Sequence, residues 1–598
     1  MTAFPKKTDN RPFLGTTALE EFWDTSGPIL FLGEWCCRFS RKEHWSGLGG
    51  SILKNPWRER DELYRAGTYI NRLYDRMLLQ LTPAMNTIHA QNYSERYWHI
   101  VVGPWLQLYL PIMYDRYICL KDAFNQYPDL ITITLDRVGW KTPRDTLEFA
   151  EFCKGDIYNL QLFSRLLTLM GHDFPTKQAK IQNTMVRYIA ARPGIKERLA
   201  AILLKHLRAI NRTFMDGRAI ICRASYFSRW VEAMLVIKTQ GKVWPIIAEM
   251  TELPEVISNH AARSALAKAL RATNDFERLL NAALVEDLPQ CFLENFTAIG
   301  KTAAECYPAS PKAIFSSVAW YYDESFKQWA AACADSGVTL IGMQHGGNYG
   351  SIAFHPSEDH ETAITDQYFT WGWQKSATKS RVIPWYASKL SGRASLGADN
   401  GTEGLLFLCT NAPRYLFQFP VAPERFSDYL LWHKRFITAI HPELLQAMRV
   451  RFHREDLGWD IADRWQAFNP GITIERWDIP FRDSLKNCRL YVGDNLATTF
   501  LEALAANKPT ILFWNPEINE LLPEAQPFYD HLREALILYD SPEDAARGVE
   551  TAYGDVETWW NMPVRQAARK SFCTQFARTS PSAVDEWAEE FKRIAAGR

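Results

Sequence analysis

No C-x-x-C pair occurs among the 11 cysteines of this 598-residue sequence, so neither a zinc cluster nor a disulfide framework is indicated. Scattered thiols suit a reducing compartment. Also missing are G-x-x-x-x-G-K-[ST] and any G-x-G-x-x-G after a strand, which removes support for P-loop hydrolysis and dinucleotide redox chemistry. G-x-S-x-G is absent, which counts against an α/β-hydrolase. No D-x-D pair stands in a strand-end loop to clamp a metal, so no metal or cofactor is expected and phosphate stabilisation falls to side chains and helix dipoles. Lys plus Arg equals Asp plus Glu at 68 each, so no global field draws the chain to nucleic acid. The opening "MTAFPKKTDNRPFLG" lacks the charged-then-apolar pattern of a secretory signal, and a cytoplasmic location is expected. The strongest membrane candidate, residues 98–120, contains Pro104, Gln107 and Pro111 and runs into Asp115-Arg116, so it reads as buried or interfacial. Peripheral membrane contact has one candidate, the basic, partly apolar "VRQAARKSFCTQFAR", a pattern shared by helices that simply pack with their charges solvated.

What is present is an ordinary globular composition, 47% apolar and 23% charged, with 22 tryptophans and 24 tyrosines. That aromatic load fits carbohydrate-handling surfaces and large aromatic cores alike. An apolar strand, "PILFLG", ends just before Glu34. From about 58 to 300 the spacing is mostly helical, as in "RERDELYRAGTYINRLYDRMLLQL" and "ERLAAILLKHLRAINRTF". Near 312 the pattern changes to strand, helix, strand through "KAIFSS" and "VTLIGMQHGG", with "DQYFTWGW" a third strand, which makes a parallel α/β unit. A second series from 405 alternates strands such as "LLFLCT", "MRVRFH", "LYVGD" and "PTILFWN" with helices, the signature of a Rossmann-like domain.

The expected organisation is an α/β protein with a pair of Rossmann-type domains facing a cleft and a large helical insert in the N-terminal half. Residues 1–375 form an acceptor-side domain with its insert at about 140–300, 376–404 a linker, 405–556 a nucleotide-binding domain, and 557–598 helices able to return to the first domain. Facing parallel sheets make a cleft from strand-end loops.

In "GDNLATTFLEALAAN" a strand ends at Asp494 and a helix opens at Thr498 and Thr499, with Glu502 on its first turn. Hydroxyls and free N–H groups at a helix N-terminus suit phosphate, although Thr498 with Glu502 also has the spacing of a simple capping pair. Arg451 and His453 end the neighbouring strand and bring cationic partners; a solvated strand face reads the same way. On the other side Glu34 is a candidate general base. Asp156, on a helix face with Asn159, is a candidate carboxylate for a retaining reaction. The loop "QHGGNYG" places Gln344 and His345 before Gly346 and Gly347, which let the backbone approach a ligand closely. Gln344 and His345 are expected to meet the donor, with Tyr349 shaping the wall.

The blocks "GMQHGGNYG", "DQYFTWGW", "RFHRED" and "GDNLATTFLEALAANKPTILF", with the opening "FLGEWC", resemble GT-B-type transferases of bacterial O-antigen and capsule loci. More remotely the chain is similar to Kdo transferases and CDP-glycerol polyol-phosphate transferases. The resemblance implies a glycosyltransferase of surface-polysaccharide synthesis that uses a nucleotide-sugar donor, a CMP-linked ulosonic acid favoured, and a glycan or lipid-linked acceptor. Arg451, His453, Asp494, Thr498 and Thr499 would lie near phosphate and ribose. His453-Arg454 departs from the His-Pro common in those groups, which keeps a diphosphate-sugar donor open. The alternatives are a CDP-activated polyol-phosphate transferase and a catalytically silent scaffold in polysaccharide assembly.

Overall fold

The computed structural model describes residues 11–179, 217–246, 253–376, 378–392, 403–419, 421, 423–518 and 520–597. The helical pattern "ERLAAILLKHLRAINRTF" and residues 393–402 of the expected linker lie outside them. Strands β1 (Phe13–Gly15), β2 (Ile29–Phe31) and β3 (Ser51–Ile52) form a small parallel sheet, and β4 (Thr134–Leu135) pairs with β5 (Thr176–Lys177). The first large sheet holds β6 (Ile220–Arg223), β7 (Val243–Pro245), β8 (Ala313–Ser316), β9 (Thr339–Met343), β10 (Gln367–Thr370) and β11 (Arg381–Pro384), in the order β11-β10-β9-β8-β6-β7. The second holds β12 (Glu403–Leu408), β13 (Met448–Arg451), β14 (Thr473–Ile474), β15 (Cys488–Gly493), β16 (Thr510–Phe513) and β17 (Leu538–Tyr539), in the order β14-β13-β12-β15-β16-β17. Every pairing in both large sheets is parallel.

Runs such as "TILF" and "AIFS" are buried throughout, as central parallel strands require when both faces are covered. In each sheet the chain winds outward, returns and continues on the other side. The reversals fall between β6 and β8 and between β12 and β15, and at such points the strand ends part to leave a crevice. The architecture is therefore a pair of Rossmann-type α/β domains.

Two expected boundaries are corrected. The stretch about 140–300 is not purely a helical insert, because β6 and β7 within it belong to the first large sheet. The strand that joins β6 to the rest of the sheet, β8, lies some ninety residues further on, β7 pairs only with β6 among the described strands, and strands of four and three residues leave little periodicity. Part of the expected linker is β11, an edge strand on β10 where Pro384 is tolerated because no further strand needs its missing N–H. Glu34 follows β2, which belongs to the small sheet.

The apolar run 98–120 lies inside one helix, Glu95–Gln126, which continues through Pro104 and Pro111 and is buried for most of its length. No described helix is long and apolar enough to cross a membrane. The helix Pro563–Phe576, proposed as a membrane-contact face, uses its apolar side within the protein: Phe572 packs on Phe500 and Tyr529. The last helix, Ala583–Ala595, crosses back to the first large sheet, where Trp587 meets Phe227, Phe315 and Phe369.

Buried polar ties join the two halves. Asp156 accepts from Ala18 N at 3.2 Å and from the Arg414 guanidinium and Tyr415 hydroxyl of the second half. Arg116, fully buried, donates to Leu416 O at 2.8 Å and to Asn159 Oδ1 at 2.7 Å. Asp156 is thus an anchor between halves, and its full set of donors corrects its expected role as a reacting carboxylate.

Asp156→Ala leaves the Arg414 charge buried without its partner, which costs about 3–5 kcal/mol. The expected outcome is a large fall in the denaturation midpoint measured by circular dichroism; an unchanged midpoint would discount the tie. His99 and His360 supply a pH test. Burial pulls the His99 imidazole down to about 4 and that of His360 well below its ordinary value. Both bind a proton more readily when unfolded, so their stabilising contribution is present above about pH 6.5 and is lost as pH falls from there towards 4. Stability should decline over that window by up to about 1.4 kcal/mol per pH unit per histidine, with a shallower decline in His99→Gln.

Candidate functional site

The carboxyl ends of the two large sheets meet. Beyond β9, Gly347 N donates to Thr498 Oγ1 at 3.0 Å, at the start of the helix Thr498–Ala505 that follows β15. The chain just beyond adds Ala353 N to Glu520 O at 2.9 Å and Leu522 N to Ser351 O at 2.8 Å. A Cβ on Gly347 would stand 2.8 Å from the Ala497 carbonyl carbon and 3.0 Å from Thr498 N, so only glycine permits this approach. The N-cap is Ala497, with no side-chain cap, so the N–H groups of the first turn keep their attraction for an anion. The Thr498–Glu502 capping pair does not form. Thr498 instead receives the Gly347 N–H, and Thr499 hydrogen-bonds the buried Tyr491 hydroxyl.

His345 begins the same loop with its side chain 20% exposed, Nδ1 3.3 Å from Glu361 Oε1. The Tyr349 hydroxyl lies 3.1 Å from Nδ1, and the rings of Tyr226 and Tyr321 flank the imidazole. Glu361 is fully buried and accepts from the hydroxyls of Tyr321 at 2.6 Å, Tyr368 at 2.5 Å and Tyr349 at 3.2 Å. Burial, then the nearby Glu361 charge, push all three phenols well above their usual range, so they stay protonated as donors. A carboxylate held this way orients the His345 ring through Nδ1, while the Tyr349 hydroxyl also lies 3.3 Å from Nε2.

On the facing domain a cavity of about 240 Å³ opens at the β12–β15 reversal. Phe426, Tyr429, Trp432 and Trp514 give it aromatic walls, while Asn348 of the His345 loop and Arg425 bring polar groups. At its wall Asp494 accepts from Tyr429 at 2.8 Å, from Asn495 at 2.6 Å and from His433 Nε2. His433 Nδ1 accepts from Trp465 Nε1 at 3.2 Å; an indole only donates, so Nε2 carries the ring proton. Cys409, His433 and Asp494 are close enough together to hold a metal ion. Metal at Nε2 would require a proton on Nδ1 facing the indole N–H, so this donor set fits a metal poorly as arranged.

The structure brings His345, Gly346 and Gly347 together with Thr498, and places Asp494 at the adjoining cavity. It corrects five other expectations. Gln344 is buried and spent on the loop itself, with Oε1 accepting from Trp371 N and Trp373 Nε1, both at 2.8 Å, and Nε2 donating to Gly346 O at 2.8 Å. Arg451 is buried, with Nη1 donating to Glu475 Oε2 at 2.7 Å and Ile479 O at 2.9 Å, which holds the guanidinium against the Glu475 carboxylate instead of a phosphate. His453 stays at the surface and bonds within its own turn to the Glu455 backbone. Glu502 faces Lys389 at 3.2 Å instead of a ligand. Glu34 hydrogen-bonds Ser427 and does not line the aromatic-walled cavity; burial raises its carboxyl.

Sequence reading overlooked Glu361, Tyr321, Arg425 and His433. The titratable run "EDHE" was a usable signal for Glu361. His433 and Arg425 sit in an ordinary amphipathic helix pattern and offered none.

Residues 12–591 match the LIC12162 family of transferases, and the chain belongs to that family. No curated protein matches the sequence. Among solved structures, trehalose-6-phosphate synthases from Burkholderia multivorans and Burkholderia vietnamiensis are similar over 64% of this chain and 98% and 100% of theirs, each at 10% identity, with TM-scores of 0.33 and 0.34. A wall teichoic acid polymerase, TagF, is similar over 68% of this chain and 99% of its own, at 7% identity and a TM-score of 0.30. Likeness this remote decides nothing about substrate.

The Gly347 contact generates a paired test. Gly347→Ala overpacks the domain junction, an effect of roughly 1–3 kcal/mol, and is expected to lower the calorimetric melting temperature by several degrees. Gly346→Ala, whose Cβ would lie 3.5 Å from Thr498 Oγ1, should melt close to the parent. Equal melting of the two variants would mean that the apposed loops yield freely.

Proposed function

We propose that this transferase moves a glycosyl group from a nucleotide-sugar donor to a hydroxyl of a glycan or lipid-linked acceptor in surface-polysaccharide synthesis. The observation that carries the reading is the apposition of the Gly346-Gly347 loop with the uncapped start of helix Thr498–Ala505, beside an aromatic-walled cavity at a sheet reversal. Aromatic walls suit a base and ribose, and helix N–H groups with Arg425 suit the phosphate. A CMP-linked ulosonic acid remains the favoured donor through the sequence resemblance.

In this reading His345 takes the proton from the acceptor hydroxyl at Nε2 while the carboxylate of Glu361 steadies the imidazolium that forms. The acceptor oxygen bonds to the anomeric carbon as the bond from that carbon to the donor phosphate breaks. The departing phosphate oxygen carries the negative charge, which the helix N-terminus and Arg425 offset. Asp494, satisfied by three donors, orients the cavity wall.

Thermal-shift titrations with CMP, CDP, UDP and GDP test the donor assignment, since a ligand at a hundred times its Kd adds about 2.7 kcal/mol. A shift with a cytidine nucleotide, abolished by Trp432→Ala, is expected; no shift with any of the four at millimolar concentration would overturn the reading. His345→Gln should keep the nucleotide response and lose roughly a hundredfold or more in turnover. Donor phosphorus retained in the product would point to polyol-phosphate transfer instead.

A further inference from the structure

A second cavity, of about 340 Å³, lies apart from the nucleotide pocket, among the helices Arg60–His89, Glu95–Gln126 and Pro356–Ile364. Three side chains of its lining are at least nine-tenths buried: Tyr74 is 9% exposed, His99 7% and His360 1%. Yet the Tyr74 hydroxyl, His99 Nε2 and both ring nitrogens of His360 have no hydrogen-bond partner among the described residues. Buried polar atoms are ordinarily satisfied, so a cluster of four in one cavity marks a place where something else completes the bonding. These groups converge over the Gly103 backbone. A Cβ there would stand 2.6 Å from the Tyr74 hydroxyl, 3.0 Å from His99 Cδ2 and 3.2 Å from His360 Cε1, so only glycine lets the three side chains close together on this backbone.

The chemistry of the lining selects the ligand. A neutral imidazole donates one hydrogen bond and accepts one, and a phenol does both, which is the complement of ligand hydroxyls. Phe354, Phe419 and Leu110 offer apolar surface to the C–H face of a ring. Asp75 and Asp359 also line the cavity, at its exposed rim, and the partial desolvation there raises both carboxyls, that of Asp359 to about 6. At neutral pH they can accept from hydroxyls and repel phosphate or carboxylate, while Lys379 near Asp75 and Lys375 near Asp359 and Glu358 temper their field. A polar cluster with acidic groups and apolar walls therefore fits a neutral, hydroxyl-rich ring and rejects the anionic end of a nucleotide donor. The cavity also adjoins the His345 loop: His355, part of its wall, packs against the Tyr349 ring with centroids 4.0 Å apart and lies 3.4 Å from Gly347 O.

We infer that this cavity is a binding site for a neutral sugar unit, built from Tyr74, His99 and His360 and distinct from the nucleotide pocket. A free sugar and a unit of a glycan share this chemistry. Calorimetric titration of the full chain with glucose, galactose, N-acetylglucosamine and rhamnose tests it, with glucuronate as the anionic control. At least one neutral sugar is expected to bind with a millimolar or tighter Kd, Tyr74→Phe and His99→Gln each weakening it at least tenfold, and glucuronate not binding. The thermal response to nucleotides should be unchanged in Tyr74→Phe, which loses one oxygen only, so failure of this site and failure of the nucleotide reading are separable. Mass analysis then distinguishes the sources: a sugar recovered in the transfer product is an acceptor unit, and a sugar recovered unmodified while transfer rates change is an effector. Absence of binding by all four sugars, or variants that bind as the parent does, would overturn the site.

Discussion

The hydrogen bond from Gly347 N to Thr498 Oγ1 holds the reaction side of this molecule together, because it can form only where two backbones come closer than any side chain allows. It joins the carboxyl end of one parallel sheet to the start of a helix in the other. His345, two residues before it, is thereby carried to the domain junction, and the first turn of the helix is left without a side-chain cap. Asn348, one residue after it, adopts a left-handed backbone with φ of 71° and reaches the aromatic cavity of the second domain. A single close approach thus sets the positions of a base candidate, an anion-attracting helix end and a cavity wall.

That approach has to be kept in register by contacts elsewhere. Asp156, Arg414 and Tyr415 tie the two halves, and Arg38 with Asp460 at 3.0 Å adds a second charged tie. The last helix reinforces both by crossing from the second domain to pack Trp587 on the first sheet. Within the first domain the buried Glu361 is the counterpart of these ties. Its three phenolic donors make a buried carboxylate tolerable, and that carboxylate then orients His345. The same helix that carries Glu361 carries His360, whose ring lines the second cavity and finds no hydrogen-bond partner among the described residues. Two consecutive residues on one short helix therefore serve two different environments.

The alternation of strands and helices was legible wherever strands were apolar and buried on both faces, as at "TLIGM", "LLFL" and "TILF". It was illegible at β6, β7 and β11, where three or four residues gain their identity from partners far along the chain. In the candidate site, "QHGGNYG" and "ATTFLEALA" stood out because glycines and hydroxyls at element ends have local physical reasons to be there. Arg451 misled for the opposite reason. Its position at a strand end was visible, but the side chain's direction depends on Glu475, which is itself placed by the edge of the sheet.

By itself the sequence determined the class of fold, two parallel α/β units, and the absence of the common phosphate and hydrolase motifs, since both are matters of periodicity and local pattern. It also marked the two loops that meet. Only the tertiary structure decided which polar side chains remain available, because that depends on every donor and acceptor brought close by folding. Gln344 and Asp156 are consumed by such neighbours, while the polar atoms of the Tyr74–His99–His360 cluster named above find none among the described residues. A residue's type gives its capacity to bond, and only its surroundings decide whether that capacity is already filled.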